Sequence, residues 1–101
     1  MANQINDRQF YRIEAAAQIV GLPPARVRRY VRAGLIQPAA RERGAIVLGE
    51  DELTQLRRIR RLTLDLGLNM AGLEVVLRLL DEMTQLQVEL EQARTATRGR
   101  R

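Results

Sequence analysis

The chain has 101 residues, 46% of them hydrophobic and 29% charged, which suits one small domain with an appended helix. It contains no Cys and no His, which excludes disulfides and the usual zinc sites, and all 17 basic residues are Arg, so no Cys, His or Lys is present to act as catalytic nucleophile or base. Aromatic residues make up only 3%, with no Trp, so the core must come from Leu, Ile, Val and Ala, and stacking on single-stranded bases is disfavoured.

The net charge of +5 is unevenly spread. Residues 1–40 carry six Arg against Asp7 and Glu14; residues 41–93 carry seven Arg against ten acids; residues 94–101 carry four Arg and no acid. The basic character therefore belongs to the N-terminal part and the tail. No apolar run approaches the ~18 residues of a membrane span. The opening MANQINDRQF lacks the apolar segment of a signal peptide, so a cytoplasmic location is expected.

In chain order, residues 1–10 are polar and expected to be a flexible N-terminus. Residues 11–36 read as two short helices and a tight turn. Ala15, Ala16, Ile19 and Val20 give the first helix an apolar face. Gly21-Leu22-Pro23-Pro24 breaks it, and Pro24 can take the first position of the next helix. That helix, 25–33, ends at Gly34, a residue suited to the left-handed cap. Val27, Tyr30 and Val31 can face inward, leaving Arg26, Arg28, Arg29 and Arg32 to project outward. The pattern is a helix-turn-helix with a basic second helix. Four arginines so placed read either as a solvated face or as a surface for an anionic partner.

Leu35-Ile36-Gln37-Pro38, a polar loop around Arg41-Glu42-Arg43-Gly44, and Ile46-Val47-Leu48 together suggest a small two-stranded β wing over 35–48. Gly49-Glu50-Asp51-Glu52 opens a third helix, whose three acids complement the positive end of its dipole. Leu53, Leu56, Ile59, Leu62 and Leu66 form its inward stripe, and Gly67 ends it. Asn69 is a good N-cap for a last helix expected to run from Met70 to about Ala93. Leu73, Val76, Leu80, Met83, Leu86 and Leu90 suit a coiled-coil dimerisation helix; a helix folded back on its own domain accounts for Leu73 to Leu80 as well, but not for Leu86 to Leu90. The remainder, 94–101, is expected to be a disordered basic tail. The organisation is thus a winged helix-turn-helix over 11–68 followed by a long amphipathic helix over 69–93, a mainly α fold.

The helix-turn-helix resembles the MerR family. Tyr11-x-Ile13-x-x-Ala16-Ala17 is similar to that family's opening, and Val27-Arg28-Arg29-Tyr30-Val31-Arg32-Ala33-Gly34-Leu35-Ile36 to its second-helix block. The resemblance implies a winged helix-turn-helix that contacts DNA: Arg28, Tyr30 and Arg32 match the family's contacting residues, whereas Arg29 stands where an aromatic is common. Arg26 and Arg29 join the candidates from the outward basic face, and Arg41 and Arg43 from the wing's loop tip. The wing departs from the family pattern: Gly44-Ala45-Ile46-Val47-Leu48-Gly49 stands where a Gly-rich turn, arginine and tyrosine are usual. In this respect, and in Leu66-Gly67-Leu68-Asn69-x-Ala71-Gly72-Leu73 and Leu77-x-Leu79-Leu80-Asp81-Glu82-Met83, the chain resembles the chaperone-modulator CbpM family. That resemblance implies docking on the J-domain of a DnaJ-like co-chaperone, blocking its work with Hsp70. J-domains present a basic helix, so Glu50, Asp51, Glu52, Asp65, Asp81 and Glu82 are the candidate contacts. HspR repressors of heat-shock operons share the Asn-x-Ala-Gly block.

The leading reading is therefore a CbpM-like chaperone modulator, and the alternative is a dimeric MerR- or HspR-type regulator bound to double-stranded DNA. No cofactor, metal or catalytic site is expected. Asp81 and Glu82 occupy adjacent helical positions that do not face one another, and no Gly-rich phosphate loop is present. An effector-binding domain is also not expected, because the chain ends where larger relatives begin theirs.

Overall fold

The computed structural model describes residues 9–99. They fall into two compact units that divide between Leu68 and Asn69. In the first, a strand β1 (Tyr11–Arg12) leads directly into α1 (Ile13–Val20) and α2 (Pro24–Arg32). Two strands follow, β2 (Ala40–Glu42) and β3 (Ala45–Leu48), and then α3 (Glu50–Arg60), which continues into a π-helical turn, Arg61–Asp65. Of the N-terminal stretch expected to be flexible, residues 1–8 lie outside the described residues.

α1 buries Ile13, Ala16, Ala17 and Val20, the spacing of one helix face. Ala15 and Ile19, expected on that face, point to solvent. The inward stripe begins at Ile13, and the two buried alanines, with only a Cβ each, allow α2 and α3 to come close to α1. Gly21, at φ 80°, ends the helix, its N–H donating to the Ala17 carbonyl at 2.9 Å. Pro23 then serves as N-cap and Pro24 as the first residue of α2, where a missing N–H is harmless. α2 buries Val27, Tyr30 and Val31 and closes through Gly34 at φ 81°, with the Leu35 N–H donating to the Tyr30 carbonyl at 2.9 Å.

The wing register differs from the expected one. Leu35–Pro38 is not a strand: Ile36 plugs the core, and Pro38 cannot donate to a ladder. Pairing begins beyond it, with Ala40 opposite Val47, Arg41 opposite Ile46 and Glu42 opposite Ala45. Arg43 and Gly44 form the two-residue turn, both at positive φ (52° and 80°), the signature of a type I′ hairpin. The sheet is also three-stranded rather than two-stranded. β1 pairs with the other edge of β3, Tyr11 opposite Leu48 and Arg12 opposite Val47, which makes β3 the central strand. Val47 and Leu48 are 8% and 0% exposed, so the wing's aliphatic strand belongs to the core of the unit.

α3 starts at Gly49, whose N–H donates to Glu52 Oε1 at 2.6 Å, half of a capping box whose other half a glycine cannot supply. Leu53, Leu56 and Ile59 are buried as the periodicity requires. The stripe then fails: Leu62 is half-buried and Leu66 is 69% exposed. The π turn is the cause. One extra residue in a helix of 3.6 residues per turn rotates everything after it by about 100°. The Thr63 hydroxyl donates to the Ile59 carbonyl at 2.9 Å in this turn, and Gly67 at φ 72° ends it.

The second unit is α4, Met70–Gly99, of 30 residues. Asn69 caps it, its Oδ1 accepting from the Gly72 N–H at 2.9 Å. Leu73 and Leu77 are buried and Val76 and Leu80 half-buried, whereas Met83, Leu86 and Leu90 are 55%, 63% and 53% exposed. The helix does not stop near Ala93. Residues 94–99, expected in a disordered tail, are helical; 100–101 lie outside the described residues. Here the Thr97 hydroxyl donates to the Ala93 carbonyl at 2.9 Å, and Arg98 lies 3.9 Å from Glu91. Arginines near the C-terminus also suit the helix dipole, so the basic composition that suggested a tail supports a helix end instead. Among the described residues, no helix is long and apolar enough to cross a membrane.

Candidate nucleic-acid interface

Three buried side chains, Val27, Tyr30 and Val31, dock one side of α2 on the core and turn its other side to solvent. On that side Arg26, Arg28, Arg29 and Arg32 are all exposed, and α2 contains no acid. The arginines divide between two concavities. Arg26, Arg29 and Arg32 line a shallow hollow with Pro23 and Ala25. Arg28 instead helps line a groove bounded by Arg12, Ile13 and Glu14 at the start of α1 and by Gly44–Ile46 of the hairpin.

Within that groove Arg28 Nη2 donates to Glu14 Oε2. The pair is well exposed, 44% for Arg28 and 63% for Glu14, and such surface pairs contribute only ~0–1 kcal/mol to stability. Arg41 and Arg43 are exposed on the hairpin, with Gly44 of the same turn on the groove wall. Arg12 stands as N-cap residue of α1 and faces this groove too. It was not among the sequence candidates; its place between Tyr11 and Ile13 in the family-like opening was the available signal. Tyr30, by contrast, is 4% exposed, so its ring packs α2 and does not reach a partner.

Within the first unit, the candidate carboxylates do not gather into one patch. Glu50, Asp51 and Glu52 occupy the first turn of α3, while Asp65 ends the π turn roughly 20 Å along the helix. Asp81 and Glu82 are exposed on α4 in the second unit. Two of the first three have local duties as well. Glu52 accepts the Gly49 N–H, and Glu50 lies 3.3 Å from the Tyr11 hydroxyl. Partial burial of the Tyr11 ring, and then the negative charge of Glu50, hold that phenol above its ordinary value of 10.0.

Chemically, the α2 face offers planar, permanently charged forks that match phosphate geometry. Its outward direction, beside a hairpin carrying Arg41 and Arg43, leaves that face open to an anionic partner.

Known proteins agree with this architecture. Residues 4–95 match the profile of the family described as MerR HTH family regulatory protein. Over 93 residues the chain is 30% identical to a protein of Streptomyces coelicolor assigned as heat shock protein HspR; the match covers 92% of this chain and spans 62% of the length of that relative. The fold is similar to that in the crystal structure of HiNmlR, a MerR family regulator lacking the sensor domain, bound to promoter DNA. The TM-score is 0.64 at 19% identity, over 86% of this chain and 68% of that one. The chain belongs to the MerR HTH family of regulatory proteins.

Proposed function

We propose that the protein is a dimeric, non-enzymatic transcriptional regulator of the HspR type, which binds double-stranded DNA through α2 and the hairpin and acts on heat-shock genes in the cytoplasm. The observation that carries this reading is the acid-free arginine face of α2, held outward by three buried residues beside a hairpin carrying Arg41 and Arg43. The HspR assignment of one relative and the promoter-bound state of another support it. Arg26, Arg29 and Arg32 would contact backbone phosphates at the major groove, with Arg28, Arg41 and Arg43 on the flanking backbone. The exposed Met83, Leu86 and Leu90 on α4 would join two copies, giving the two-fold symmetry that paired half-sites require.

Docking on a J-domain is the second reading, favoured by the wing's lack of an arginine–tyrosine pair and by the exposed Glu50 and Asp51. It has lost ground on two counts. The aliphatic wing strand that suggested a protein partner turns Val47 and Leu48 into the core, and the four carboxylates of the first unit, Glu50, Asp51, Glu52 and Asp65, stand at opposite ends of α3 and its π turn.

The deciding experiment is fluorescence anisotropy of labelled duplexes from upstream of the host's chaperone genes, run beside calorimetry with the host's folded J-domain. Saturable duplex binding that weakens in Arg29→Ala, with no heat from the J-domain, is the expected result. J-domain binding without duplex binding would reverse the order of the two readings.

A further inference from the structure

We infer that Glu14 is a specificity-determining residue which restrains sequence-independent DNA affinity by competing with phosphate for Arg28. The inference rests on the DNA-binding reading above and concerns one ion pair inside that interface.

Arg28 is the one arginine of α2 that has a carboxylate partner among the described residues. The partner comes from the first turn of α1, not from α2 itself, and both side chains open on the groove between α1, α2 and the hairpin turn. A pair this exposed does little for the fold. It lies where a duplex seated on α2 would bring its backbone. A phosphate approaching Arg28 must therefore either displace Glu14 or accept a neighbouring negative charge. Arg26, Arg29 and Arg32 impose no such condition.

Sequence-independent binding comes almost wholly from phosphate neutralisation, so a pre-neutralised arginine contributes less to it. A duplex whose shape and base contacts seat α2 in its best register can draw Arg28 away from Glu14; an arbitrary duplex cannot. A repulsive element of this kind raises discrimination by weakening the wrong complexes.

The test is anisotropy titration of the full chain and its variants across a salt series, with two probes. One is a random-sequence duplex and the other a duplex selected from a random library by the parent protein. Glu14→Gln and Glu14→Ala should each bind the random duplex about three- to tenfold more tightly at low salt, with the salt slope steeper by about one. The selected duplex should gain less, so the ratio of the two affinities falls. Adding Arg28→Ala to Glu14→Gln should remove the extra slope, a readout that loss of folding would not reproduce. An unchanged or weakened random-duplex affinity in both Glu14 variants, with the parent binding normally, overturns this inference and leaves the DNA reading standing. No duplex binding by parent and variants alike overturns both.

Discussion

Arg43 sits in a backbone conformation that arginine adopts reluctantly. At φ 52° in a type I′ turn its position suits Asn, Asp or Gly, whose small side chains tolerate the left-handed region. We expect Arg43→Asn to stabilise the first unit by about 0.5 kcal/mol in thermal melts. The same change should lower the salt slope of duplex binding by about one, because a phosphate-facing charge is lost. Stability and affinity moving in opposite directions would identify the arginine as placed there for its charge. Neighbouring positions on α2 separate along another line. Tyr30→Ala removes a buried ring and should cost about 3 kcal/mol by chemical denaturation. Arg32→Ala should stay within about 0.5 kcal/mol of the parent, yet weaken all duplexes alike.

At the scale of elements, α4 depends on the cap that begins it. Asn69→Ala leaves the Gly72 N–H without its acceptor and should cost about 1 kcal/mol, read as lost helicity in far-ultraviolet circular dichroism. This cap was legible in the sequence, as were α2 and its arginine face, because Pro23-Pro24 and Gly34 punctuate the helix and Val27, Tyr30 and Val31 give it a period. What was not legible has physical causes. A two-residue strand such as β1 is too short to show alternation, so the third strand was hidden. The hairpin is misregistered in the sequence because Arg41 and Glu42 are polar and read as loop although they pair with β3, and Ile36 looks like a strand residue while serving as a core plug. Leu66 was assigned to the buried stripe because periodicity carries no mark of the π turn that displaces it. Of the candidate site, outward arginines can be read from charge and period, but the Arg28–Glu14 pair joins residues fourteen apart across two helices and needs the fold.

For the whole molecule, the exposed apolar residues of α4 carry the case for a dimer. Replacing Leu86 and Leu90 together by Asp places two charges on that seam and should convert a dimer to a monomer in sedimentation equilibrium. The first unit's melting should change little, because both residues are already exposed in the single chain. A concurrent loss of tight, but not of weak, duplex binding would tie dimerisation to paired half-sites. A parent that sediments as a monomer at all concentrations would remove the dimer from the reading.

The central position of β3 has a practical corollary. Its outer edge bonds β2, but its inner edge bonds Tyr11 and Arg12, residues that precede the first helix by no more than one turn's length of chain. Amide protons along β3 should therefore exchange slowly only while those two residues are in place. Trimming the chain to begin at Ile13, a cut that spares every helix, would leave the hairpin hanging by one ladder and bring its exchange toward that of a loop. Tags and fusions are better joined at the other end of the molecule.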